Sequence, residues 1–117
     1  MKLLVDSGST KADWIAIDDN GKVLFTTQTL GLNPEILDKQ EVINRLDAKF
    51  DIEHNKEKAT HLFFYGAGCG TERMKDFLAD VFKEYFPNAV VAVHEDTSAA
   101  VYATTPKGEQ AIVCILG

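Results

Sequence analysis

One stretch near the N-terminus constrains this chain more than any other: Leu3-Leu4-Val5-Asp6-Ser7-Gly8-Ser9-Thr10-Lys11. Leu3 to Val5 is an apolar run that reads as a buried strand. It ends in a carboxylate, Asp6, followed by small and hydroxylated residues up to Lys11. Trp14-Ile15-Ala16-Ile17 opens a second apolar run at once, so the chain has to reverse within a few residues. Asp18-Asp19-Asn20-Gly21 then turns it into a third run, and Asn-Gly is the strongest short hairpin signal. Residues 2–6, 12–18 and 22–29 therefore predict three strands of an antiparallel meander. The first turn carries chemistry of its own. Gly8 can take positive φ and let the backbone approach a ligand. Successive N–H groups in such a turn form a concavity that suits an anion. Asp6 at the strand end could hold Mg²⁺, with water between them. The same composition also suits a solvated hairpin turn, where Asp, Ser and Gly are common. It is not a Walker A loop, because no second Gly-Lys-Ser/Thr follows at the required spacing.

Further on, Gly31-Leu32-Asn33-Pro34 precedes a helical pattern. Pro34 biases Asn33 away from helical geometry and can itself open a helix. Val42, Ile43, Leu46 and Phe50 then recur at helical spacing, which predicts a helix from Pro34 to Phe50. Residues 51–59 are mostly polar and read as a surface connection. Residues 60–65 predict a fourth strand, which runs into Gly66-Ala67-Gly68-Cys69-Gly70. After Thr71, an apolar stripe of Met74, Phe77, Leu78, Val81, Phe82 and Tyr85 predicts a helix that Phe86-Pro87-Asn88 stops. Val90 to Val93 predicts a fifth strand, parallel to the fourth through a right-handed crossover.

That unit admits a dinucleotide-binding reading, with Gly66, Gly68 and Gly70 after a strand and Glu95 after the next. Thr71, however, occupies the third glycine position of the Gly-x-Gly-x-x-Gly fingerprint. The glycines equally permit a tight turn and close helix packing. Asp96 heads a short alanine-rich stretch, Asp96-Thr97-Ser98-Ala99-Ala100. It could cap a helix. At the carboxyl end of a strand it would also point into the crevice where α/β proteins bind ligands. Pro106-Lys107-Gly108 is a turn, and residues 110–116 read as a last strand that reaches Gly117.

Asp6-Ser7-Gly8-Ser9-Thr10-Lys11 before an apolar strand resembles the first phosphate motif of the superfamily of sugar kinases, heat-shock chaperones and actin. Within it the likeness is to N-acetylglucosamine kinase-like proteins and BadF/BcrA-type ATPases, whose motif runs Asp-Gly-Gly-Gly-Thr-Lys. Here Ser7 and Ser9 replace two glycines. Asp96-Thr97-Ser98-Ala99-Ala100 looks like the Asp-x-x-Ala pattern of the same family, and Gly117 would be the first glycine of its second phosphate motif. The resemblance implies an α/β fold of the ribonuclease H-like, actin-like ATPase type. Its mixed five-stranded sheet would have an antiparallel meander, then parallel strands, with helices on both faces.

The resemblance also implies ATP and Mg²⁺ as cofactors and transfer of a phosphoryl group to an amino sugar hydroxyl, N-acetylglucosamine first, within carbohydrate metabolism. Asp6 would position Mg²⁺. Ser7, Gly8, Ser9, Thr10, Lys11 and Gly117 would meet the nucleotide phosphates. Asn33, Gly66, Ala67, Gly68 and Asp96 would contact sugar, and Asp96 would be the catalytic base. The partners implied are a small sugar and ATP, with a homodimer left open. A BadF/BcrA-type ATPase that activates a partner enzyme is the other family reading; its cluster-binding cysteines are not matched by Cys69 and Cys114. A non-catalytic sugar sensor on the same fold is a further alternative.

Length and charge set the remaining bounds. A chain of 117 residues suits one core, here residues 1–108 as a first actin-like lobe. Residues 109–117 would lead into a second lobe, so this stretch by itself should bind nucleotide weakly and not turn over sugar. A net charge of −6 argues against nucleic acid and anionic membranes, which reward clustered Lys and Arg. Cys69 and Cys114 lack metal-type spacing, and Met1-Lys2 leads into only three apolar residues before Asp6. Both features suit a cytoplasmic setting without a signal peptide.

Overall fold

The meander forms one half of a mixed five-stranded sheet in the computed structural model, which describes residues 1–8, 10–66 and 70–94. Strands β1 (Lys2–Ser7), β2 (Lys11–Ile17) and β3 (Val23–Leu30) pair antiparallel in chain order. Strand β4 (His61–Gly66) lies parallel to β1 on its other side, and β5 (Val90–His94) lies parallel to β4. Across the sheet the order is β3-β2-β1-β4-β5. Helices α1 (Lys39–Asp47), α2 (Phe50–Asn55) and α3 (Glu72–Tyr85) complete the described elements.

Side chains alternate across each strand, and that alternation sorts the residues into two faces. Leu3, Val5, Trp14, Leu62 and Phe64 meet Val42, Leu46, Ile52, Leu78, Phe82 and Phe86 in the main core. Each such side chain contributes about 1.5–3 kcal/mol by leaving water. Phe64 and Phe82 pack with ring centroids 5.3 Å apart, and Trp14 and Phe86 at 6.2 Å. The indole N–H of Trp14 is buried, so it needs an acceptor; it donates to Thr29 Oγ1 at 3.1 Å. The opposite face buries Leu4, Ile15, Ile17 and Tyr65, with Phe63 against them. Among the described residues, all three helices pack on the first face. The helix expected after Asp96, and the boundary at residues 109–117, lie outside the described residues.

Two sequence expectations are corrected. The helix does not begin at Pro34: residues 34–36 form a turn, and Asp38 caps α1 by accepting from Glu41 N at 2.8 Å. Asn33 competes for the intervening backbone, since its carbonyl accepts from both Ile36 N and Leu37 N. Residues 51–59 are not just a surface connection. Residues 50–55 form α2, which buries Ile52, and Ala59 is buried as well.

Candidate functional site

The strand directions bring the candidate residues to one edge of the sheet. β1, β4 and β5 are parallel, so Ser7, Gly66 and His94 end together. β3 runs the same way as β1, and its last residue, Leu30, pairs with Lys11. The turn of residues 8–11, the loop that carries Asn33 and the end of β4 therefore share the carboxyl edge, where α/β folds bind ligands. β5 closes at His94 on the same edge, two residues in sequence before Asp96. Ser9, Ala67, Gly68, Asp96 and Gly117 lie outside the described residues.

Within this edge the turn after β1 is tight. Gly8 N–H donates to the Lys11 carbonyl at 2.9 Å. Gly8, Thr10 and Lys11 are exposed. Gly8 does not adopt positive φ; among the described residues only Gly21 does. A Cβ at Gly8 would sit 3.6 Å from the Lys11 carbonyl oxygen, an ordinary contact. Glycine at this position leaves the backbone uncovered rather than permitting a special dihedral.

Ser7 differs from its neighbours. It shares the helix-covered face with Leu3 and Val5 and is only 2 % exposed. Its Oγ accepts from Leu32 N at 2.9 Å and donates to the Gly8 carbonyl at 3.2 Å. Gly31 N donates to the Thr10 carbonyl at 3.0 Å, and Arg45 Nη1 donates to the Gly31 carbonyl. Glu41 holds that guanidinium through Nε at 2.9 Å. The turn of residues 8–11 and the loop of residues 31–33 are thus one hydrogen-bonded unit. Asn33 follows directly. Its Oδ1 accepts from Glu35 N at 2.9 Å, which fixes the side chain and leaves the amide NH₂ as its remaining donor.

Gly66 is set by packing. A Cβ there would lie 2.7 Å from a Phe64 ring carbon and 3.1 Å from Ser7 Cβ. This glycine is required first by the Phe64 ring and then by the Ser7 side chain in the adjacent strand.

On the opposite face the register lines up one side chain from each strand: Gln28, Asp13, Asp6, Tyr65 and His94. Gln28 Nε2 donates to Asp13 Oδ1 at 2.6 Å. The rings of Tyr65 and His94 stack at 5.0 Å. Tyr65 Oη is buried and has no hydrogen-bond partner among the described residues. Burial, and then the nearby charge of Asp13, push the Asp6 carboxyl above its ordinary range. Two acids directly opposite one another destabilise a strand pair. Chemically this pair fits a hard cation. Among the described residues no group of three His, Cys, Asp or Glu converges as a metal site. Mg²⁺ needs no such cage, since it is held through one or two carboxylates, waters and substrate phosphates. Asp13 was not singled out from the sequence. A lone acid within Ala12-Asp13-Trp14-Ile15 was the signal, and the tight first turn sets it opposite Asp6.

No protein-family model matches the chain, and no curated protein matches it. Among solved structures it is similar to the putative N-acetylglucosamine kinase from Porphyromonas gingivalis, at 30% identity and a TM-score of 0.73. The match covers 90% of this chain. The chain has an actin-like ATPase fold. It spans 38% of the length of that kinase. Among the described residues, no helix is long and apolar enough to cross a membrane.

Proposed function

We propose that the longer protein containing this lobe transfers the γ-phosphoryl group of ATP to a hydroxyl of an amino sugar, with N-acetylglucosamine the first candidate. One observation carries the reading. Asp6, the turn of residues 8–11, the Asn33 loop and Gly66 converge on a single sheet edge, where the turn and the loop are hydrogen-bonded into one unit. The likeness to the Porphyromonas gingivalis protein supports it.

In this reading Asp6, with Asp13 beside it, holds Mg²⁺, which neutralises charge on the transferring phosphates. The turn from Gly8 to Lys11, with Ser9 in it, offers its backbone N–H groups other than that of Gly8, which the Lys11 carbonyl takes, and the Lys11 ammonium to the phosphates. Of Ser7, only the main chain is left for that role. Asn33 and the loop from Gly66 through Gly68 contact the sugar. Asp96 accepts the proton of the attacking hydroxyl, and Gly117 opens the second phosphate loop. A cytoplasmic setting supplies the ATP.

The test is a sugar panel with coupled ADP detection on the full-length protein and its Asp96→Asn variant. The expected outcome is turnover with an amino sugar that falls by roughly two to four orders of magnitude in the variant. Wild-type turnover by Asp96→Asn on every sugar would overturn the assignment of the base. Iron bound by the full-length protein, without sugar turnover, would instead favour the BadF/BcrA-type alternative.

A further inference from the structure

We infer that Ser7 is a positioning residue for the sugar side of the site, its hydroxyl holding the Asn33 loop in place rather than binding phosphate. The inference rests on the phosphotransfer reading above and adds a role which that reading does not contain. Ser7 and Thr29 are the buried non-aromatic polar side chains among the described residues, Thr29 in its pair with Trp14. Both the hydrogen and the oxygen of its hydroxyl are engaged: the hydrogen goes to the Gly8 carbonyl, and the oxygen accepts Leu32 N across 25 positions of sequence. It lies on the helix-covered face, whereas Asp6 and Asp13 lie on the other.

Leu32 is wholly buried, so its N–H has no access to water. Without Ser7 Oγ that donor would be stranded, at the full cost of its desolvation. The loop would then shift to find another acceptor, and Asn33 is the next residue along. A displacement near 1 Å at a substrate contact can cost on the order of 10²-fold in rate. The turn of residues 8–11 has its own closing bond from Gly8 N to the Lys11 carbonyl, which does not depend on the hydroxyl. Loss of Ser7 Oγ also frees the Gly8 carbonyl of the turn, but Gly8 is exposed and water can replace that bond, so the loss should be felt more at the sugar than at the nucleotide.

The experiment uses the full-length protein with Ser7→Ala, Asn33→Ala and the double variant. The KM values for N-acetylglucosamine and for ATP are measured separately. Ser7→Ala is expected to raise the sugar KM about tenfold, the effect of one buried hydrogen bond, with the ATP KM changed less than about twofold. In the Asn33→Ala background the further effect of Ser7→Ala should vanish, because the two residues act in series. An equal rise in the ATP KM, or the same tenfold effect without Asn33, would overturn the proposal. If the wild-type protein phosphorylates no sugar, the phosphotransfer reading falls, and amide exchange of Leu32 decides the hydroxyl's role instead. Exchange about tenfold faster in Ser7→Ala supports the hold on the loop, and unchanged exchange overturns it.

Discussion

The meander contains two hairpin turns rich in Asp, Asn, Ser and Gly, and they are built for different ends. In the second, residues 18–22, Asp18 accepts from Asn20 N and Lys22 N, each at 2.9 Å. Gly21 takes φ of +83°, and Gly21 N and Asp18 N close the loop. Every polar group named there serves the turn itself. In the first, residues 7–11, the carboxylate of Asp6 accepts no backbone N–H among the described residues. It faces Asp13 instead. The adjacent hydroxyl of Ser7 reaches Leu32, not its own turn. A structural Asp satisfies local backbone donors, while an Asp set beside another acid, with no backbone donor among the described residues, fits a ligand. Composition alone does not separate these two turns; hydrogen bonding does.

The sharpest way to break the contrast is to neutralise the first acid. Asp6→Asn in the full-length protein should lower sugar-dependent ADP release by roughly 10²–10³-fold, the scale of losing several kcal/mol of metal-based stabilisation. Its thermal stability should not fall, because the variant also relieves the opposition to Asp13. A melt lowered in proportion to the lost activity would make Asp6 structural. Gly66→Ala comes next and tests whether the first turn's surroundings tolerate bulk. The Phe64 ring cannot yield, being packed on Phe82, so denaturant unfolding should show a loss of about 1–3 kcal/mol.

The second hairpin should behave in the opposite manner. Gly21→Ala meets no atom within 4 Å, so only its left-handed backbone matters, at roughly 1–2 kcal/mol. Asp18→Ala removes two exposed bonds and should cost about 1 kcal/mol. Neither should change turnover at a temperature where the protein stays folded; a change of more than about twofold would blur the contrast.

The smallest effect is in the pH dependence. The Asp6 carboxyl is raised above its ordinary value of 3.8 by burial and by Asp13. The folded state then binds the proton more tightly than the unfolded chain, so this group's contribution to stability declines as pH rises through the interval above 3.8. Asp6→Asn should flatten that decline in pH-dependent melts. A decline unchanged in the variant would assign it to another group.

Much of the fold was legible because its strands are apolar runs bounded by turn signals, and because α3 carries a long stripe from Met74 to Tyr85. Helix α2 was not, since six residues with one buried side chain, Ile52, give no periodicity to read. The start of α1 was misplaced because Pro34 is a plausible first residue, and only the bonds to the Asn33 carbonyl show a turn there. At the site, Asp6, Gly8, Thr10, Lys11, Asn33 and Gly66 were named from sequence and lie on one edge. Asp13 needed the register. The role of the Ser7 hydroxyl depends on a bond across 25 residues, which no local pattern encodes. The sequence around Gly66 suggests a turn or ligand residue, yet what demands a glycine there is the Phe64 ring, with Ser7 of the neighbouring strand close behind.

The most direct measurement is paramagnetic broadening of backbone amides in the isotope-labelled full-length protein on addition of Mn²⁺ with ATP. The amides of Gly8, Thr10 and Lys11 should broaden first, while those of Asn20, Gly21 and Lys22 stay sharp. Broadening at residues 18–22, or none at residues 8–11 under saturating nucleotide, would contradict a phosphate and cation site at the first hairpin.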